Sequence, residues 1–454
     1  MQLLAKPTHA VWACVALSAC ATYRPTPLEP QRVLEALESI EWDSTPNTPN
    51  ATDSSQSSPV VGPLQLAAFA VSTHPELAAL RAELGIQHAL LVEAGLLPDP
   101  ELGWDAMDGL ASQLVTGSSS SVDAWAGFGL LFPLLGPGER QASIAVAQGR
   151  SDEARYRIAE AEWNLTCDIH VALEEVLAAE TLLAQTRSLT ELATTTNEYF
   201  QRAKDAGAAT AIQANLAQGD LQTIRLDGLR ADARVRQARQ ALNALLGLPP
   251  SVDLPLGPGV DPSNLLTTRG TPEQLTLHAV DSRPDLAVLL AAYQASEEGV
   301  RLAMSQRFPR IAVGTGIRIT LPIFSKFGGP AIQTARARSE QIRLAFTARV
   351  HTIRQEIAAG YEAWQLASQE VDLVENGLLP NAEQSLQLSR EALVAGEVTL
   401  LETLALQRSL VAARTRHTEA RAERSKRAWK LLAASGWLLG ASPMNTEPNP
   451  ADSQ

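Results

Sequence analysis

The residues of this 454-residue chain that could do chemistry are few, and their spacing fits no catalytic site. The histidines stand alone, without a second histidine four residues away and without the HExxH pattern of a zinc hydrolase. The segment LGPGER (135–140) lacks the spacing and the Lys-Ser/Thr pair of a phosphate-binding loop. There is no CxxC pair, and the four methionines do not cluster. We therefore predict a protein that is not an enzyme, with no cofactor and no metal site. Beyond the leader, the isolated histidines are His74, His88, His170, His278, His351 and His417.

One cysteine lies where lipid attachment is expected. The leader has one Lys, an apolar run of about ten residues and the sequence LSAC (17–20), a length typical of a secretory signal and too short to span a bilayer as a helix. Small residues before a cysteine resemble a bacterial lipobox, in which cleavage leaves Cys20 as a lipidated N-terminus. The alternative is an ordinary signal peptide that happens to contain a cysteine. Cys14 is a poor competitor because Trp12 is too bulky for a lipobox, and Cys167 is interpreted as a small packing residue.

Composition excludes one class of partner. The net charge is −13 and the pI is near 5.1, so the surface repels phosphates and a nucleic-acid partner is not expected. Aromatic residues make up only 5% of the chain, while alanine is abundant. These proportions favour helices that pack closely through small side chains.

The chain is a duplication. A constant offset of 209 pairs HPEL (74–77) with RPDL (283–286) and Pro100 with Pro309. Further on, an offset of 189 pairs Pro133 with Pro322 and the Ala-Gly of residues 206–207 with that of residues 395–396. The second copy has therefore lost 20 residues between its two prolines.

The missing residues fall in a β-hairpin. In the first copy, 33 positions separate the two prolines and hold two alternating segments, Leu102–Asp108 and Val122–Phe132, joined by a Gly/Ser-rich turn. In the second copy only 13 positions remain, and RIAVGTGIRITL (310–321) alternates in the same way. We predict a shortened hairpin of strands of about five residues, turning near Gly314-Thr315-Gly316.

The rest of each copy has helical periodicity. Residues 139–206 contain no proline and would form a helix of about 100 Å. Each long helix ends at the repeated Ala-Gly, where glycine tolerates positive φ, and a Thr three residues later begins a return helix. Heptad-like spacing predicts coiled-coil packing positions. In copy one these are Ile158, Leu165, Ala172, Ile169, Val176 and Leu183, and in copy two Ile353, Gly360, Ala367, Val374, Ile357, Trp364, Val371 and Leu378.

These patterns divide the chain into six segments. We predict a signal peptide (1–19), a lipidated and mostly extended tether (20–61), repeat one (62–247), a Pro/Gly-rich linker (248–272), repeat two with the shortened hairpin (273–440) and a disordered tail (441–454).

The plan resembles the TolC family of outer-membrane efflux proteins, most of all its lipid-anchored, heavy-metal-efflux branch. The matching pieces are CATYRPTPLEP after the leader, the HPEL and RPDL helix starts, LLPDPEL and RFPRI before the strands, and the two AG…T tips. The piece LPIFSKFGGPAIQTARAR after the strands also matches. The resemblance covers roughly residues 20–440 and rests on the order and duplication of the motifs.

The resemblance implies a mainly α fold in which duplicated long antiparallel coiled-coil helices form an α-helical periplasmic barrel. Two β-hairpins per chain would contribute to an outer-membrane β-barrel that three copies close together. The implied function is a passive exit duct in a tripartite efflux system. The implied partners are a periplasmic adaptor, an inner-membrane RND-type pump and outer-membrane lipid, and heavy-metal cations are the implied substrates. The protein would lie in the outer membrane, lipid-anchored and extending into the periplasm.

The resemblance also assigns the tips. The adaptor-binding turns would comprise Ala206, Gly207, Thr210, Ala395, Gly396 and Thr399. Glu402 occupies the place of an acidic residue that narrows the pore, and its alternative interpretation is a solvated helix charge. The sequence departs from the family in the second hairpin, which is too short for membrane strands of about 9–11 residues. Either the barrel is shortened on one side, or the protein is a degraded or specialised member of the family that conducts poorly. The alternative function is a non-conducting, lipid-anchored periplasmic coiled-coil scaffold.

Overall fold

A computed structural model describes residues 27–40, 42, 61–104, 128–314, 317–323, 326–395 and 398–438. The chain forms two compact units, residues 1–43 and residues 44–454. In the first unit the described residues form one helix, α1 (Pro30–Glu38), in which no side chain is buried. The sequence interpretation predicted a mostly extended tether here and missed this helix. The predicted signal peptide and Cys20 lie outside the described residues.

The second unit contains two successive sets of elements. The first set is α2 (Pro63–Thr73), α3 (Pro75–Gly95), β1 (Glu101–Trp104), β2 (Phe128–Leu134), α4 (Glu139–Asp205) and α5 (Ala211–Leu246). The short helix α6 (Ser263–Thr267) lies in the linker. The second set is α7 (Pro272–Ser282), α8 (Pro284–Ser305), β3 (Arg310–Gly314), β4 (Ile317–Thr320), α9 (Gly329–Leu373), α10 (Leu379–Ala395) and α11 (Leu400–Ala434).

The element boundaries follow the duplication. The starts of α2, α3 and β1 are related to those of α7, α8 and β3 by the offset of 209. The starts of β2 and α5 are related to those of β4 and α11 by the offset of 189. Proline occupies the first position of the four short helices, where its missing N–H costs no hydrogen bond. Each repeat therefore has two short helices before its hairpin.

The four strands form one antiparallel sheet in the order β1-β2-β3-β4. Each hairpin pairs its own strands, and β2 pairs with β3 to join the repeats, with Leu131 opposite Gly314. The second hairpin has strands of five and four residues, which confirms that it is short. The predicted strand segments Leu102–Asp108 and Val122–Phe132 lie largely outside the described residues, but β2 continues past Phe132 to Leu134.

The largest core cluster joins the two repeats. Trp429 and Leu432 of α11 pack with Ile353 and Ile357 of α9, and Cys167 of α4 belongs to the same cluster. The Cys167 side chain is buried, which agrees with its interpretation as a packing residue. Among the helices that the structure describes, none is both long and apolar enough to span a membrane.

The long helix of repeat two is interrupted, whereas that of repeat one is not. A π-helical turn, Val374–Leu378, separates α9 from α10 just before Pro380, which has no N–H to donate and crowds the preceding turn. The prediction that Leu378 is a packing position is therefore wrong, since its side chain is 46% exposed. The π-helical turn contains one extra residue, which shifts the buried positions that follow it by one. Ala382 and Leu386 are therefore buried after the turn.

Candidate functional site: the helix tips and the sheet

The tip of repeat one is a complete helix cap. Gly207 follows α4 with φ +70, and its N–H donates to the carbonyl of Lys204 (3.0 Å), while the N–H of Ala208 donates to the carbonyl of Ala203 (2.7 Å). This pair of bonds is the Schellman pattern, which satisfies the last carbonyls of a helix. The structure thus places Ala206 and Gly207 in the predicted turn.

Thr210 starts the return helix of this tip. Its hydroxyl accepts the N–H of Gln213 (3.2 Å), and the Gln213 side-chain oxygen accepts the N–H of Thr210 (2.9 Å). This reciprocal capping box satisfies two backbone donors that α5 leaves without an intrahelical partner. Because the turn has a cap on both sides, it is a rigid connection between α4 and α5.

The tip of repeat two uses the same cap with a charged partner. Helix α10 ends at Ala395, and Gly396 lies outside the described residues. The Thr399 N–H and hydroxyl both donate to one carboxylate oxygen of Glu402, at 2.7 and 2.9 Å. The backbone donor and then the hydroxyl lower the pKa of Glu402 below its ordinary value of 4.5. Glu402 is therefore an ionised capping residue, and its role at a pore constriction stays a prediction.

The packing behind the two tips differs. In repeat one, Phe200 is buried against Ala214 and Ala217, and Leu404 of α11 packs against this cluster. At the position equivalent to Phe200, repeat two has Ser389, whose hydroxyl shares a buried hydrogen bond of 2.9 Å with Thr403. The tip of repeat two is thus closed by a polar contact where that of repeat one is closed by apolar packing.

Two exposed apolar side chains beside tip one were missed by the sequence interpretation. Ile212 and Leu216, in the first turns of α5, are 72% and 61% exposed. Their spacing of four residues places them on one helix face, within the first two turns after the tip. An apolar pair that follows the Thr cap directly was the signal that could have found them.

The sheet has two unlike faces. One face presents exposed apolar side chains from three strands, contributed by Leu130, Phe132, Leu134, Ile311, Val313, Ile317 and Ile319. On the other face, Ala312 is small and Arg318 pairs with Glu101 at 3.0 Å. Exposed apolar surface of this kind marks an interaction site or a membrane contact.

Midway along α4 and near the end of α11, a buried polar group lies between the two helices. The His170 ring stacks on Trp429, with centroids 4.0 Å apart, and burial lowers the pKa of His170 to about 4. Burial also raises the pKa of Glu174 to about 7, although the Trp429 indole donates a hydrogen bond to the carboxylate. Within the described residues, no group of three or more His, Cys, Asp or Glu side chains could hold a metal ion.

Together these features define a class of protein: a duplicated pair of long helical hairpins that ends in capped tips and carries a sheet with an exposed apolar face. The sequence pattern of the outer membrane efflux protein family matches residues 68–248, which include nearly all of the first repeat. The first repeat is therefore similar to outer membrane efflux proteins.

The comparisons with individual proteins agree. The cobalt-zinc-cadmium resistance protein CzcC of Cupriavidus metallidurans is 23% identical over 380 residues, which are 78% of this chain and 86% of that protein. The fold is shared with a membrane protein from Pseudomonas aeruginosa (TM-score 0.67, 20% identity, 82% of this chain and 92% of that one). It is also shared with CusC (TM-score 0.66, 17% identity, 83% and 92%), whose structures concern folding and transmembrane channel formation.

Proposed function

We propose that three copies of the chain close a ring that forms the exit duct of a tripartite efflux system. Within one chain, α4 packs against α5 and α11, and α11 packs against α9 and α10. These helices thus form a row in the order α5, α4, α11 and the α9–α10 pair. Helix α5 and the α9–α10 pair are the two outer members of the row. Both carry exposed leucines that could pack against a second copy, at Leu226 and Leu229 on α5 and at Leu366, Leu373 and Leu388 on α9 and α10.

The edges of the sheet also support a ring of three copies. In the order β1-β2-β3-β4, the strands β1 and β4 are edges, and their outward N–H and C=O groups need partners in an apolar environment. Joining β4 of one copy to β1 of the next satisfies both edges when this head-to-tail interface repeats around a closed ring. One observation carries the proposal: within one chain, the sheet and the row of helices each have two open edges.

The duct performs no chemistry. A periplasmic adaptor would dock on the tips, at Gly207, Thr210, Ile212 and Leu216 in repeat one and at Gly396 and Thr399 in repeat two. An RND-type pump in the inner membrane would deliver the substrate. Heavy-metal cations are the proposed substrate class. The similarity to CzcC, a cobalt-zinc-cadmium resistance protein, and to CusC, a cation efflux system protein, supports this class. They would pass through as cargo, without a resident site.

The anchor is the second part of the proposal. Lipidation of Cys20 would hold the tether at the outer membrane. The variant Cys20→Ser should lose labelling by radioactive palmitate and should be poorly retained in outer-membrane fractions. Normal palmitate incorporation in this variant would refute the lipobox.

The duct is tested by the conductance of the purified chain in planar bilayers, together with its oligomeric state. We expect a trimer with single-channel currents. A charge on the proposed helix interface, Leu229→Glu, should abolish the trimer. The matched variant Leu277→Glu, at an equally exposed position of α7, should leave it intact. If Leu229→Glu and wild type form the same trimer, the proposed interface is wrong.

A non-conducting scaffold is the second candidate, because β3 and β4 have only five and four residues. At about 3.3 Å per residue, five residues extend about 17 Å, less than the apolar band of about 25 Å of an outer-membrane barrel. Inserting the 20-residue sequence 108–127 between Gly314 and Thr315 should then raise conductance and the heat resistance of the trimer. A Gly/Ser insertion of equal length is the control. If wild type forms a heat-resistant, fully conducting trimer, the scaffold is excluded.

A further inference from the structure

Exposed apolar side chains continue beyond the strands of the second hairpin, into the loops that join it to the helices. Phe308 precedes β3, while Leu321, Ile323 and Phe327 follow β4, and all four are exposed. Leu321 extends the alternation of Ile317 and Ile319, so the apolar face of the sheet runs into this region. We name Arg307, Phe308, Leu321, Ile323 and Phe327 the junction patch.

Phe327 has an unusual backbone for an aromatic residue. Its φ and ψ are 55 and 40, in the left-handed region, and it is the one non-glycine residue with positive φ in the described part of the chain. The turn is closed by the Phe327 N–H, which donates to the carbonyl of Pro322 at 3.0 Å. Such strain persists at sites where function requires it. Here it accompanies a phenyl ring that is 55% exposed, which is unfavourable in water.

A cation accompanies the aromatic rings. The Arg307 guanidinium lies 5.3 Å from the centre of the Phe308 ring. The loop that carries Phe327 is close, since a Cβ added to Gly328 would lie 3.7 Å from the Arg307 Cβ. Within the described residues, the Arg307 guanidinium has no hydrogen bond or ion pair, whereas nearby Arg301 is paired with Glu298 at 2.5 Å.

A groove adjoins the patch. It encloses about 620 Å³ between the start of α4 and the end of α8, and Arg307 and Phe308 form part of its wall. Ala142, Ala145 and Met304 form an apolar part of the wall, and Gln141, Ser305 and the Glu298–Arg301 ion pair form a polar part. An apolar strip of groove wall, beside a guanidinium that is without an ion pair within the described residues, matches the two parts of a phospholipid, an acyl chain and an anionic headgroup.

We infer that the junction patch is an interfacial anchor that binds anionic phospholipid in the periplasm-facing leaflet of the outer membrane. The inference rests on the proposed insertion of the sheet. Aromatic rings are favoured at the level of the headgroups, and a guanidinium over an aromatic ring can reach a phosphate while its stem stays in apolar surroundings. With this anchor, the apolar surface would extend several residues beyond β3 and β4 towards the periplasm. This extension would offset the shortness of the two strands.

The test uses the full-length chain in nanodiscs of phosphatidylethanolamine, with and without phosphatidylglycerol. Phosphatidylglycerol should raise the melting temperature of wild type by at least about 3 °C. The variants Arg307→Gln and Phe327→Gly should lose this shift and retain about fivefold less phosphatidylglycerol in native mass spectrometry. Phe327→Gly is informative because glycine accepts the left-handed backbone, so the variant should be at least as stable as wild type in detergent. Arg202→Gln, near tip one, is the matched control and should behave as wild type.

The outcomes separate the anchor from the duct. If wild type inserts and conducts but neither the lipid nor the two variants change its stability or lipid retention, the anchor is wrong and the duct stands. If soluble glycerol phosphate gives the same shift as the lipid, the patch is an anion site and the lipid assignment is wrong. A wild-type chain that does not enter nanodiscs overturns both proposals.

Discussion

The Thr399 N–H and the Glu402 carboxylate are 2.7 Å apart, and the equivalent pair in repeat one, Thr210 and Gln213, is 2.9 Å apart. Evolution of the two repeats has thus kept the capping box while changing its charge. An amide at position 402 would preserve the acceptor oxygen, and the same substitution would remove the negative charge from the tip. The two roles of Glu402 can therefore be separated by mutation.

The first prediction follows from this pair. Glu402→Gln should leave the stability of the trimer nearly unchanged, because Gln213 shows that an amide completes the cap. Glu402→Ala should lower the melting temperature of the trimer, because the Thr399 N–H loses its side-chain acceptor. If the carboxylate also lines the pore, both variants should change cation selectivity in planar bilayers equally. If Glu402→Gln has the same cation selectivity as wild type, Glu402 acts only as a helix cap and does not line the pore.

The second prediction concerns the turn glycines. Gly207 has positive φ and no atom that would obstruct a side chain, so a substitution there acts through backbone strain alone. Gly207→Val should cost at least about 1 kcal/mol, and by the repeat Gly396→Val should do the same. Both variants should form trimers that cross-link poorly to the adaptor. Gly219→Ala, in an unobstructed position of α5 with ordinary φ, should be neutral or slightly stabilising. Unchanged cross-linking and efflux in Gly396→Val would show that the tip assignment is wrong.

The sequence predicted the duplication, the long helices, the short second hairpin and the turn at Gly207 because each depends on local periodicity or on a residue with special backbone freedom. It misplaced Leu378, since a heptad pattern cannot reveal that Pro380 induces a wide turn that shifts the phase. It also assigned Glu402 by resemblance and missed its bond to Thr399, although a Thr followed by Glu at the third position is a capping-box pattern. The stack of His170 on Trp429 depends on packing between distant segments and leaves no local signal.

The third prediction concerns pH. The folded-state pKa of Glu174 is about 7, above its ordinary value of 4.5, mainly because of burial. Its contribution to stability is therefore present below pH 4.5 and is lost as the pH rises through 7. Glu174→Gln should stabilise the protein at pH 8 by about 1–3 kcal/mol and have little effect at pH 4. Denaturant unfolding at the two pH values measures this.

The neighbouring Glu175 supplies the control for that experiment. Burial raises its pKa, but hydrogen bonds from Lys426 and Arg234 outweigh burial and place the pKa below 4.5. Its stabilising contribution is present above pH 4.5 and is lost as the pH falls. Glu175→Gln should therefore destabilise the protein at pH 8, the opposite sign to Glu174→Gln. Equal effects of the two variants at pH 8 would contradict the assignment of both groups.

The last prediction concerns the seam between the two repeats in the sheet. A Cβ built on Gly314 would lie 1.8 Å from the carbonyl oxygen of Leu130, a backbone atom that cannot move without breaking the pairing of β2 with β3. Gly314→Ala should cost at least about 2 kcal/mol, because about two backbone hydrogen bonds are lost in a sheet that has only short strands. The trimer should then dissociate at a lower temperature on gels. Gly299→Ala, at an unobstructed position of α8, is the control and should be neutral or stabilising. If Gly314→Ala trimers are as heat-resistant as wild type, β2 and β3 are not paired at Leu131 and Gly314, and the sheet that joins the repeats has another register.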